Sequence, residues 1–281
     1  MPLRMPEGKR LAISLGPDFD AHSVWMGTFR STSQSLLSRG EFGAEVGVPR
    51  LLRVFHRYGI TTTWFVPTHT LQTFRPAVDA VVGAGHEIAA HGVYHEFLPD
   101  LEPSEERRLV ELQLEQHERL LGVRPRGYRS PAWDVTDVTL DLLGEYGFEW
   151  DSSLMGRDFT PYHPRMVTRL NLERGNEFGP DSRLLEFPVH WYLDDFPALE
   201  SSPGNPSMQS NQAVLERWTD SFDFAYTRCP GGIMTFALHP QTIGRANNML
   251  LLERFLDYVV SHEGVWFPTL SQAFDAWADE D

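Results

Sequence analysis

A chain of 281 residues that is 41% hydrophobic and 12% aromatic has ample material for one large α/β domain. Its formal net charge of -15, with no block of like charges, argues against nucleic acid or an anionic membrane surface as partner. Cys229 is the single cysteine, which excludes an intrachain disulfide and a cysteine-held metal. The opening stretch MPLRMPEGKRLAISLG has too short an apolar run for a signal-peptide core, and no stretch is long enough to span a bilayer. A cytoplasmic enzyme is the expectation.

Short apolar or β-branched runs recur along the chain and read as strands. They are LAISLG at 11–16, TTTWFV at 61–66, HEIAAH at 86–91, RGYRS at 126–130, FEWDS at 148–152, LLEFPV at 184–189, IMTFAL at 233–238 and VWFPT at 265–269. Helical patterns separate most of them. One starts at Val48 with Pro49 in its first turn and stops at Gly59; another runs from Ser104 to Leu121 and ends at Gly122. A third is predicted to be capped by Thr136 and stopped by Gly147, and a fourth covers 248–264. Strand, helix and strand in succession mean parallel strands with right-handed crossovers. About eight such strands in one unbroken series predict a closed or nearly closed barrel, in a single domain spanning 1–281. Residues 21–47 and 155–183 break the rhythm and read as long loops that cover the site or meet a neighbouring subunit.

In such a barrel the chemistry sits where strands end. The first strand delivers Asp18 and Asp20, the third His91 and His95 in HGVYHE, the fourth Arg129 and Trp133, the fifth Asp151, and the penultimate one His239. One carboxylate and two imidazoles make a three-ligand set that leaves room for water and substrate on a hydrolytic metal. A second carboxylate can take the proton from the attacking water, an arginine beside it can keep it ionised, and a histidine can protonate a leaving nitrogen. That is a kit for hydrolysing an amide.

These stretches resemble the polysaccharide deacetylase (NodB-homology) family, whose fold is a distorted (β/α) barrel of seven or eight mostly parallel strands. The likeness runs from SLGPDFDA through RGEFGAEVGVPRLL, YGITTTWFVP, AGHEIAAHG, SLMGRDFTPY and HWYLDDFP to the final ALHP. The longer stretches are most similar to the branch holding the Helicobacter peptidoglycan deacetylase and bacterial cyclic imide hydrolases. Carried over by motif, the resemblance implies Asp20, His91 and His95 as metal ligands and Asp18 as general base. It implies Arg129 and Asp151 as the base's supporting pair and His239 as general acid. Phe19 separates two aspartates that are adjacent in the family's usual first motif, which weakens the transfer to Asp18 more than to Asp20. Zinc is the expected ion, with cobalt or nickel as alternatives. The resemblance also implies a homo-oligomer, with a tetramer favoured.

Plainer readings stand beside these. Asp18 could cap a turn after Gly16 and Pro17, Arg129 could form a structural ion pair with Asp151, and His239 could be a hydrogen-bonded core residue. Trp133, Trp191 and Tyr192 are candidates for a substrate wall, although aromatic residues near strand ends are commonly core. The substrate is either an N-acetylated sugar in a glycan or a small cyclic imide or amide. A barrel that binds a carbohydrate or metabolite without catalysis is the alternative from another class.

Overall fold

The computed structural model describes residues 2–206 and 208–277. Its strands are β1 (Leu11–Pro17), β2 (Thr63–Val66), β3 (Glu87–Ala90), β4 (Gly127–Tyr128), β5 (Trp150–Asp151), β6 (Arg165–Arg169), β7 (Glu177–Asp181), β8 (Leu185–Glu186), β9 (Ile233–Leu238) and β10 (Val265–Trp266). The eight expected strands fall on β1 to β5 and β8 to β10, and all of these pair in parallel. Regular pairing orders them as β10-β1-β9 and β2-β3-β4-β5-β8.

A single parallel bridge, Asp18 to Phe65, joins the end of β1 to β2, and another, Asp194 to Ala237, ties the segment after β8 to β9. The end of β1 is clasped on both edges: the Asp18 N–H donates to Leu238 O at 2.9 Å and the Phe19 N–H to Phe65 O at 2.8 Å. Because β4, β5, β8 and β10 are two residues long, the ladder is interrupted, and the result is a distorted barrel.

β1 is buried along its whole length, as a parallel strand covered on both faces must be. Its side chains alternate between two environments. Leu11, Ile13 and Leu15 pack outward under helices with Val48, Leu51 and Phe55, while Ala12 faces an interior filled by Phe65, Trp150, Leu185 and Phe187. The helix Val48–Tyr58 begins on Pro49 and ends at Gly59 with φ 63°, and Pro103–Leu121 ends at Gly122 with φ 75°. Among the described residues no helix is long and apolar enough to cross a membrane.

Three local expectations are corrected and one helix is added. Thr136 caps no helix: that helix is Thr139–Glu145, and the Thr136 hydroxyl instead accepts the Val138 N–H at 3.2 Å and donates to Glu106 at 2.7 Å. Residues 21–47 are largely helical, with Ser23–Met26, Gln34–Phe42 and a π-helical turn at Gly43–Gly47. Residues 155–183 carry the antiparallel β6–β7 hairpin, which stands outside the barrel. The added helix is Asn211–Arg228, capped by Ser210 through the Ala213 N–H. Its buried residues Val214, Trp218, Phe222 and Ala225 form a stripe one residue wide, interleaved with Asp, Ser and Thr.

Candidate active site

The loop after β1 turns sharply at Ala21, with φ 50°, and leaves Asp20 fully enclosed beneath it. The Asp20 backbone carbonyl accepts the Thr70 hydroxyl at 2.6 Å, so the carboxylate is aimed by its own main chain. Opposite lies the turn after β3, which carries His91 and His95. Glu96 is not a reacting group there: its buried carboxylate accepts the Val93 and Tyr94 N–H groups, at 3.0 and 2.9 Å, and so shapes the turn. Gly92 has φ 71°, and a Cβ on it would lie 2.8 Å from Glu96 Oε1, which is why glycine follows His91. Gly27 lets the covering helix Ser23–Met26 press on this turn, since a Cβ would sit 2.3 Å from the His95 carbonyl oxygen.

Asp20 Oδ1 lies 3.3 Å from His91 Nε2 and 3.7 Å from His95 Nε2. Each ring is oriented through its other nitrogen. His91 Nδ1 meets the Arg129 carbonyl at 2.7 Å and His95 Nδ1 meets Thr28 Oγ1 at 2.6 Å. A carbonyl can only accept, so His91 Nδ1 carries the proton and Nε2 presents a lone pair. Burial, with the neighbouring imidazoles opposing any second positive charge, pushes His95 down to about 4 despite Asp20, which keeps that ring neutral. Burial works against an ionised Asp20, but His95, His91 and His239 outweigh it and hold the carboxyl at about 2.

Both Asp20 oxygens and His91 Nε2 are buried without a hydrogen-bond partner among the described residues. A buried carboxylate and imidazole left unpaired are costly, and a divalent cation held by Asp20, His91 and His95 meets that need. The donor set fits the ion.

Asp18 is buried beside this cluster, and its Oδ1 takes the Arg129 Nη1–H at 2.6 Å. Arg129 is itself fully buried, with Nε on Ser152 O at 3.1 Å, Nη2 on Ser152 Oγ at 3.0 Å, and its guanidinium 3.8 Å from the Phe65 ring centroid. Asp18 is therefore its ion-pair partner. Asp151 is not: its Oδ1 accepts the Ser153 hydroxyl at 2.7 Å, and it faces Glu186 across the β5–β8 register. Arg129 reaches Asp151 through charge alone.

His239 is fixed on its far side by Asp195, whose Oδ1 receives both the His239 backbone N–H at 2.9 Å and the ring Nδ1 at 2.7 Å. Burial would lower the imidazole, but Asp194 and Asp195 together raise it well above its ordinary value. Its Nε2 points toward the cluster, 3.7 Å from Asp20 Oδ2. A cavity of about 180 Å³ opens over these groups, lined by Asp18, His91, His95, Asp194 and His239 on its polar side. Its other walls are Phe29, Trp133, Trp191 and Phe196.

Residues 41–151 match the family model described as polysaccharide deacetylase. The peptidoglycan deacetylase of Helicobacter pylori is 33% identical over 281 residues, covering 95% of this chain and 96% of that protein. A peptidoglycan deacetylase-like protein of Gibberella zeae is 32% identical over 92% of this chain and 84% of its own length. A crystal structure from Mycobacterium smegmatis, assigned as a polysaccharide deacetylase, superposes with a TM-score of 0.84 at 31% identity, covering 98% of this chain and 92% of that one.

The chain belongs to the polysaccharide deacetylase family. Deacetylases of this family hydrolyse carbon–nitrogen bonds other than peptide bonds, and this chain is a hydrolase of that class; the family's enzymes depend on a divalent metal, and Asp20, His91 and His95 form a group able to hold one.

Of the residues picked out in the sequence, the structure brings Asp18, Asp20, His91, His95, Arg129 and His239 together, and puts Trp133 and Trp191 in the cavity wall, their rings 4.4 Å apart. Tyr192 is not in that wall. It is exposed and lines a separate surface groove with Asp158 and Phe224, because the 3₁₀ turn Trp191–Leu193 sends adjacent side chains in different directions. Thr28, Phe29, Asp194, Asp195, Phe196 and Glu186 were missed. For Asp194 and Asp195 the signal stood in HWYLDDFP, where two carboxylates follow the aromatic pair. For Glu186 it was a lone glutamate inside the apolar run LLEFPV.

Proposed function

We propose that this deacetylase-family protein is a zinc-dependent hydrolase of a small cyclic imide or amide. Asp20, His91 and His95 hold the ion, which when bound polarises the scissile carbonyl and makes water a competent nucleophile at neutral pH. Asp18, held by its 2.6 Å ion pair with Arg129, accepts the proton of the attacking water. His239, oriented by Asp195, returns a proton to the departing nitrogen. The aromatic walls orient the ring and exclude bulk water.

The observation that carries the reading is the size and lining of the cavity, about 180 Å³ with Phe29, Trp133, Trp191 and Phe196 around the reacting groups. A sugar polymer asks for a long, polar groove; a small planar ring suits a small pocket with aromatic walls. A second reading, removal of acetyl groups from a glycan, is favoured by the 33% identity to a peptidoglycan deacetylase. Turnover of cyclic imides and of acetylated chito-oligomers, measured after chelation and again after zinc is restored, separates the two. We expect imide hydrolysis that chelation abolishes, that zinc restores, and that His95→Ala lowers at least a hundredfold. Activity that survives both chelation and that substitution would sink the metal mechanism; turnover of the oligomers alone would make the glycan the substrate.

A further inference from the structure

Asp194 plays no part in the proton transfers above, yet it lines the same cavity. It follows the turn Trp191–Leu193, is pinned by its bridge to Ala237 and is 3% exposed. Its Oδ1 is committed, accepting the Phe196 N–H at 2.7 Å and lying 3.5 Å from His239 Nδ1. Its Oδ2 has no hydrogen-bond partner among the described residues and, unlike Oδ2 of Asp195, is not sealed inside protein. Two enclosed carboxyls face the one imidazole of His239, Asp195 at 2.7 Å and Asp194 at 3.5 Å, so the nearer is its ion-pair partner and Asp194 is the one left to carry a proton, the direction in which burial also pushes it. Since Oδ1 accepts a backbone N–H, the proton of the neutral acid belongs on Oδ2. The cavity therefore holds a hydrogen-bond donor beside His239, facing the aromatic walls.

We propose that Asp194 is a specificity-determining residue whose Oδ2 hydrogen-bonds a second carbonyl of the substrate, the one beyond the leaving nitrogen. The inference rests on the small-imide reading above. Asp194 lies beside His239, the acid for that nitrogen, so a group attached to the nitrogen on the side away from the reacting carbonyl is the group that meets it. An imide has a carbonyl there and a simple amide or lactam does not. A site built to bond a polar group rejects an analogue lacking it, because its own buried group is then left unpaired.

The test compares glutarimide with 2-piperidone, the same ring with one carbonyl, on zinc-supplied wild type, Asp194→Ala and Asp194→Asn. Binding is read by stopped-flow tryptophan fluorescence, which Trp133 and Trp191 in the cavity wall make possible without turnover. Asp194→Ala should weaken glutarimide at least tenfold and 2-piperidone by no more than twofold. Asp194→Asn keeps an oxygen for the Phe196 N–H and offers an N–H donor in place of the acid, so it should bind glutarimide within threefold of wild type. Equal losses on both ligands, or an asparagine variant as poor as the alanine one, would overturn the proposal. The expected binding pattern without glutarimide hydrolysis would uphold the contact and overturn the proposed reaction instead.

Discussion

At the scale of single residues, buried charge sets the pattern. Arg129 has no water to solvate it, and its charge is tolerable because Asp18, two acceptors on Ser152 and the face of Phe65 surround it. Asp151 and Glu186 present the opposite problem, two enclosed carboxyls face to face. Glu186 Oε1 accepts the Ser153 and Leu154 N–H groups, both at 2.9 Å, and its Oε2 turns to Asp151. Burial, then the charge of Asp151, raises Glu186 well above the carboxylate range, so it holds the proton that the pair shares. Glutamine supplies the same oxygen and an N–H where that proton sits. Glu186→Gln should therefore stay within about 1 kcal/mol of wild type in urea unfolding, whereas Glu186→Ala should cost about 2–4 kcal/mol. Similar losses for both would mean that the pair is not joined by a proton.

At the scale of elements, the helix Pro103–Leu121 carries a device of its own. Its buried face includes His117, which is fully enclosed and has no hydrogen-bond partner on either ring nitrogen among the described residues. Burial lowers this imidazole from 6.5 to about 4. The folded state thus binds the proton more weakly than the unfolded chain. Stability attached to His117 is full above 6.5, falls as the pH drops through that value, and reaches its limit near 4. The full loss is on the order of 3 kcal/mol, and at pH 5 roughly 2 kcal/mol. His117→Leu should remove that increment: wild type loses about 2 kcal/mol more than the variant between pH 7 and pH 5 in paired denaturant titrations. Parallel pH profiles would show that the ring titrates normally in the native state.

At the scale of the whole molecule, the β6–β7 hairpin is the part the fold does not explain. It leaves Leu170 and Leu172 at 78% and 105% exposure and Phe178 exposed as well, and a two-stranded hairpin by itself is marginal in water. The other long segment behaves differently: Trp25 is buried against Phe29 and Phe196, so these aromatic groups of residues 21–47 pack over the site. We expect the hairpin to be covered by a second copy of the chain in a tetramer. Light scattering at micromolar concentration should give a mass several times 32.1 kDa, and Leu172→Ser with Phe178→Ser should lower it. A monomeric wild type would count against this assembly.

The eight parallel strands and the helix stops at Gly59 and Gly122 were legible in the chain, because period and turn chemistry are local properties; the choice of Asp20 with His91 and His95 came from the family resemblance, and the fold places the three side chains together. What local pattern could not decide was partnership. Arg129 pairs with Asp18, 111 residues away, rather than with Asp151, because the single bridge at the end of β1 brings Asp18 to the barrel interior while Ser153 and Glu186 occupy Asp151. Asp195 meets His239 across 44 residues through the bridge to Ala237, and a 3₁₀ turn keeps Trp191 in the cavity and puts Tyr192 outside it. Sequence alone determined which residue types reach the mouth of the barrel. Register between strands far apart in the chain, and the rotation of one short turn, decided which of them touch, since those depend on packing that no single segment contains.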